Sequence, residues 1–322
     1  MKCGNISGRQ QFRALLEALK WLSMPEVLQA RLLCRQWLQV CDNDEVWLHL
    51  LTCLGFSGPI PTSAKTAYQE AYRQCVVVIE RTAVCRYYPG YLKWQQTQLQ
   101  AQLKSPVQSV LVDKDRLFCC TGDPRCLFLH FKTGVTQLTS TMPTYRTDVG
   151  LCALDSYVYA LCGVDSNVTS VCERFEVQTE HWEALPPAIR RRKGFNPAVH
   201  QTLIYLSGGC TSAIETFNPA SFSFTLLPVT SQNILPTISL IIQDVLYVFN
   251  TDLCFWLNCK TGQHGVKICT LPEFSESATQ TLAWDSQGFI VVLRKGERPK
   301  VWQVDLKKMN ARSVTSEIDS PL

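Results

Sequence analysis

The residues able to do chemistry are scattered through this chain rather than grouped. It has sixteen cysteines and five histidines. No two cysteines form a Cys-x-x-Cys pair. His49, His130, His181, His200 and His264 form neither His-x-x-x-His nor His-Glu-x-x-His. Tetrahedral metal sites need such ligands at close, fixed spacing, so no metal is expected. Gly208-Gly209-Cys210 lacks the later Gly and Lys of a phosphate-cradling loop, so no nucleotide or other cofactor is expected either. One run does carry chemistry: Arg190-Arg191-Arg192-Lys193. Guanidinium forks match carboxylate and phosphate oxygens bidentately. That chemistry is recognition of an anion, and the chain is read as non-catalytic.

Net charge limits what the anion can be. Lys and Arg total 31 against 27 Asp and Glu, a formal balance of +4. This is too mild for nucleic-acid or membrane binding, and no aromatic residues interleave the basic run. The longest apolar candidate for a span, from Ile234 to Phe249, is short and carries Pro236, Gln243 and Asp244. It reads as strand, turn, strand. The cysteines sit inside apolar runs such as LFCC, GLCAL and YALCG, and the N-terminus shows no apolar secretory core. They are expected to be reduced core residues of a cytoplasmic, and also nuclear, protein.

Two kinds of element must position these residues. Over residues 10–54, apolar residues recur at helical spacing: Phe12, Leu15, Leu16, Leu19 and Leu22, then Val27, Leu28, Leu32, Leu33, Trp37 and Val40 after Pro25, then Val46, Trp47, Leu50 and Leu51. Residues 55–75 read as a Gly- and Pro-rich linker and a short helix. From residue 76 the period changes to two.

Five segments then share the form apolar strand, polar turn, aromatic-bearing strand: SVLVDKDRLFCCTG, GLCALDSYVYALCG, PAVHQTLIYLSGG, SLIIQDVLYVFN and TLAWDSQGFIVVL. Phe118, Tyr159, Tyr205, Tyr247 and Ile290 hold equivalent places in their second strands. Each is followed by a further pair of large residues across a polar turn: Phe131/Leu138, Phe175/Trp182, Phe217/Phe224, Leu257/His264 and Val304/Ala311, with Tyr87/Trp94 ahead of the first. The interval is roughly 40 to 50 residues, the period of a four-stranded propeller blade. Six blades over residues 76–315 are predicted, with five or seven as the alternatives. The first lacks an innermost strand, and residues 316–322 are expected to be a tail that helps close the ring. The aromatic residues are read as packing between blades.

The repeat CALDSYVYALCGVDSNVTSVCERFEVQTEHWEALPP resembles a kelch repeat, with Gly208-Gly209 in the next repeat keeping both glycines of that family's pattern. The resemblance implies a kelch-type β-propeller.

Residues 19–51, LKWLSMPEVLQARLLCRQWLQVCDNDEVWLHLL, resemble the F-box. Leu33-Cys34-Arg35-Gln36-Trp37 and Trp47 carry the match, and Gln10-Gln11 stand where that family usually has Leu-Pro. The resemblance implies a substrate receptor of a Skp–cullin–F-box E3 ubiquitin ligase. It places Leu22, Pro25, Leu33, Cys34, Trp37 and Trp47 against the Skp adaptor, through which a cullin is reached. The alternative is a non-catalytic propeller scaffold for cytoskeletal or complex assembly.

Strand order fixes the substrate face. In a four-stranded antiparallel blade, the loop between the middle strands and the loop entering the blade emerge on one side. Arg125, Arg146, Arg190, Arg191, Arg192, Lys193 and Arg298 all fall in or beside such loops. They are expected to contact an acidic or phosphorylated segment of a protein substrate.

Overall fold

The computed structural model describes residues 13, 15–17, 41, 43–53, 63, 76–79, 82–88, 93–104, 107–113, 115–121, 123–230, 238–249, 253–269, 278–284, 287–292, 300–305 and 310–313. The chain divides into two compact units, one of Met1–Cys75 with Tyr88–Leu92, the other of Val76–Tyr87 with Lys93–Leu322.

Within residues 13–53 of the first unit the described segments are helical in short pieces. Helix α1 (Asp44–Cys53) begins where Asn43 caps it. The Asn43 Oδ1 accepts the Glu45 N–H at 2.8 Å, and its carbonyl accepts the Val46 N–H at 3.2 Å. Asp44 and Glu45 put negative charge in the first turn, where the helix dipole favours it. Val46, Trp47 and Cys41 are fully buried and Leu16 is buried, while Leu48 faces out. None of the described helices is long and apolar enough to cross a membrane.

The second unit is all β. The described residues form six sheets, over residues 76–98, 108–141, 150–185, 198–230, 238–268 and 278–313. The first has three strands and the others four, lying side by side in chain order. All five predicted hairpins are the first two strands of sheets two to six. The first sheet has three strands among the described residues, and the tail at 314–322, expected to help close the ring, lies outside them.

The recurring pairs of large residues across the outer turn face one another in four sheets. Phe175 faces Trp182, Phe217 faces Phe224, Leu257 faces His264 and Val304 faces Ala311 in register. Sheet two departs from this. There Leu138 faces Leu127, and Phe131 lies just beyond the strand. The third strand ends at His130, whose carbonyl accepts the N–H groups of both Thr133 and Gly134. That turn leaves Phe131 buried outside the ladder and Leu138 exposed.

The first strands of sheets two to six lie beside one another in series. Between neighbouring sheets lie continuous apolar layers. Phe118 and Phe128 of sheet two meet Val158, Phe175 and Trp182 of sheet three. Tyr159 and Leu161 of sheet three meet Ile204 and Phe217 of sheet four. Tyr205 and Ile214 of sheet four meet Leu246 and Phe255 of sheet five. The Phe118 and Phe175 rings are 4.8 Å apart and those of Tyr159 and Phe217 are 6.0 Å apart, which is ordinary aromatic packing. The aromatic residues singled out in these second and third strands are therefore packing groups.

Candidate functional site

The loop side of sheets three and four is built around two buried carboxylates. Glu173 and Glu215 stand on the third strands of these sheets, and each is wrapped by the loop that enters its own sheet. In sheet three the Arg146 Nη1 donates to Glu173 Oε2 at 3.0 Å. Its Nε and Nη2 donate to the carbonyls of Cys162 and Ala160 at 2.8 and 3.2 Å. The other Glu173 oxygen accepts the Thr144 N–H at 3.1 Å. In sheet four the Arg192 Nη2 donates to Glu215 Oε1 at 2.7 Å and to the Ala213 carbonyl at 2.9 Å, and its Nη1 donates to the Gly208 carbonyl at 2.6 Å. Glu215 also accepts the N–H groups of Ile189 and Arg190 at 2.7 and 3.1 Å.

Burying a charge costs several kcal/mol unless it is paired and its remaining donors are met. Both guanidinium groups meet that condition, each with a carboxylate and two carbonyls. Arg146 and Arg192 are therefore not on the surface, against the expectation that they contact substrate. The reason is the pair of acids on the third strands, which a run of cations cannot reveal.

The remaining expected contacts are exposed or lie elsewhere. Arg190, Arg191 and Lys193 are exposed on the loop entering sheet four, and Arg125 is exposed where the third strand of sheet two begins. No salt bridge engages Arg190, Arg191 or Lys193 among the described residues. Arg298 lies outside the described residues.

Backbone hydrogen bonds tie these loops together. Thr147 and Val164 exchange a pair of bonds at 2.8 Å. The Gly163 N–H reaches the Arg192 carbonyl at 2.9 Å, the Arg192 N–H reaches the Thr169 carbonyl at 3.3 Å, and the Gly194 N–H reaches the Asp148 carbonyl at 2.9 Å. Gly163 sits at φ +110° and Gly209 at +67°. A Cβ on Gly163 would lie 2.7 Å from the Thr147 carbonyl oxygen, and one on Gly209 would lie 2.8 Å from that of Lys193. Only glycine fits these close approaches.

Several other titratable groups among the described residues are held by burial or by pairing. The Sγ atoms of Cys120 and Cys126 are 3.4 Å apart and buried. The hydrogen bond to Cys126 and burial push the Cys120 thiol well up, and burial does the same for Cys119 and Cys152. Such thiols are not nucleophilic at neutral pH. On the opposite side of the sheets, Asp244 of sheet five lies 2.8 Å from the Lys260 Nζ and 2.9 Å from Nε2 of His200 in sheet four. These bonds hold its carboxyl below the usual carboxylate range. No group of acid, cysteine and histidine side chains suited to a metal ion occurs among the described residues.

Of the residues expected against the adaptor, Trp47 is described: it is fully buried in α1. Leu22, Pro25, Leu33, Cys34 and Trp37 lie outside the described residues. No curated protein matches the chain. The F-box domain family matches residues 13–49, so an F-box domain, the module that binds a Skp adaptor in Skp–cullin–F-box ubiquitin ligases, is present ahead of the all-β region.

Proposed function

We propose that the chain is the substrate-recognition subunit of a Skp–cullin–F-box E3 ubiquitin ligase. The observation that carries this reading is the F-box domain at residues 13–49, followed by a series of repeated sheets. The F-box holds the Skp adaptor through Leu22, Pro25, Leu33, Cys34, Trp37 and Trp47, and through the adaptor a cullin. The sheets form a kelch-like β-propeller of six blades that holds a protein substrate. Their chain-order strands, serial first strands and shared aromatic layers support that architecture.

The chain makes and breaks no bond itself. It raises the effective concentration of substrate lysines near a ubiquitin-conjugating enzyme by holding both ends of the encounter. It acts in the cytoplasm and the nucleus. The test is affinity purification of the full chain, with the Skp adaptor and a cullin probed in the eluate. Both are expected with the wild type and neither with Leu33→Ala/Trp37→Ala. A wild-type chain that captures neither refutes the ligase reading and leaves a free scaffold.

A further inference from the structure

The loops entering sheets three and four are the same device with different surfaces. Pro143-Thr144-Tyr145-Arg146-Thr147-Asp148 and Ile189-Arg190-Arg191-Arg192-Lys193-Gly194 align position by position. In each, the fourth residue is a buried arginine bonded to a carboxylate on the third strand. In each, the second residue gives its N–H to that same carboxylate. In each, the sixth residue has a left-handed backbone, at φ +52° for Asp148 and +56° for Gly194. The frame thus requires one arginine per loop. Sheet three completes it with Thr144, Tyr145 and Thr147 at the positions where sheet four has Arg190, Arg191 and Lys193. Three of the four charges in the basic run therefore do nothing for the fold.

Their presentation is nevertheless fixed. The Glu215 carboxylate anchors the backbone of Ile189 and Arg190, and further bonds tie the Arg192 backbone to Gly163 and Thr169. Arg190, Arg191 and Lys193 are exposed around this anchored point, with Ile189 exposed beside them. Two acids stand on the adjoining loops: Asp165, whose Oδ1 accepts the Ser166 hydroxyl and the Asn167 N–H, and Asp148, whose carbonyl accepts the Gly194 N–H; among the described residues neither forms a salt bridge with the run. Three like charges held on an anchored loop repel one another, and an opposite charge delivered to them relieves that repulsion.

We infer that Arg190, Arg191 and Lys193 form the recognition surface for an anionic segment of a partner protein, whose carboxylate or phosphoryl oxygens are held by the two arginine forks. This rests on the substrate-receptor reading for its biological meaning, since the segment would belong to the protein to be ubiquitylated. Glu215 is a positioning residue for it, and Ile189 supplies an apolar contact beside the charges.

The test uses the full chain and fluorescent peptides of one length carrying glutamates, phosphoserines or serines alone. The decisive variant is Arg190→Thr/Arg191→Tyr/Lys193→Thr, which copies the neighbouring loop and keeps Arg192. Wild type is expected to bind at least one anionic peptide about tenfold or more tightly than the serine peptide, with affinity falling as salt rises. The variant is expected to lose that preference with an unchanged thermal midpoint. Binding of the phosphoserine peptide alone, or of the glutamate peptide alone, identifies the source of the oxygens and supports the inference. Arg190→Lys/Arg191→Lys keeps charge and fold and should still weaken binding several-fold, because the forks are gone. Equal binding by wild type and variant, no anionic preference in wild type, or preferential capture of a single-stranded oligonucleotide overturns it. Skp adaptor capture is measured on the same samples: its loss in wild type counts against the ligase reading alone, and retained capture without anion preference counts against this surface alone.

Discussion

Arg192 and Glu215 form an ion pair at 2.7 Å with neither side chain exposed, one sheet along from the matching pair of Arg146 and Glu173. Removing one partner of such a pair strands the other as a buried charge. Glu215→Gln is expected to destabilise the β unit by about 3–5 kcal/mol, and Glu173→Gln by a similar amount. Arg190→Ala, one residue into the loop and exposed, should change stability by no more than about 0.5 kcal/mol. Urea unfolding of the three variants checks this. A neutral Glu215→Gln would mean that the pair does not hold the loop.

Gly163 carries a second constraint on the same loops. Alanine there would need both a positive φ and room that the Thr147 carbonyl and Val149 side chain occupy. Gly163→Ala is expected to cost about 1–3 kcal/mol, whereas Gly262→Ala, in an open turn with nothing near its Cβ, should cost only the backbone strain, about 1 kcal/mol. Thermal unfolding midpoints should rank the two in that order.

Asp244 links two sheets through His200 and Lys260. Its carboxyl is held low by the Lys260 and His200 hydrogen bonds. The stabilisation is therefore present above the ordinary carboxylate pKa of about 3.9 and is lost as pH falls through the lower folded-state value. Asp244→Asn should melt below wild type at neutral pH, and the gap should close in acid below about pH 4. A gap that stays constant down to that range would show that the carboxylate charge plays no part.

Trp47 tests the helical unit. Truncating a fully buried tryptophan to alanine costs about 3–5 kcal/mol. Trp47→Ala is expected to abolish Skp adaptor capture, read by co-purification. Undiminished capture would separate the buried tryptophan from adaptor binding.

The sheets were largely legible in the sequence because their signal is local. Alternation on either side of a two-residue turn, as in Leu154-Asp155-Ser156-Tyr157, needs no distant partner to be recognised. The F-box domain was legible for the same reason, through the spacing of Trp47 from Leu33-Cys34-Arg35-Gln36-Trp37. The state of Arg146 and Arg192 was not, because it depends on acids 27 and 23 residues away. A signal was present: Arg-x-x-Val149 with Glu173-x-Phe175, and Arg-x-x-Phe195 with Glu215-x-Phe217, recur one repeat apart. It becomes visible only when the repeats are aligned on their third strands rather than on their hairpins. Phe131 and Leu138 depart from the other repeats on a purely local point, since spacing alone does not show where a strand stops and its turn begins.

The second strand of sheet three serves two apolar layers at once. Val158 and Ala160 belong to the layer shared with sheet two, and Tyr159 and Leu161 to the layer shared with sheet four. Adjacent side chains of a strand point to opposite faces, so both assignments follow from one phase of the chain. Inserting a single residue before Val158 would exchange the two sets, sending the tyrosine ring into space sized for an alanine while valine faced Phe217. The two layers are therefore not separately editable: this strand tolerates changes of side chain but not of length, and any natural length variation should be confined to the loops at its ends.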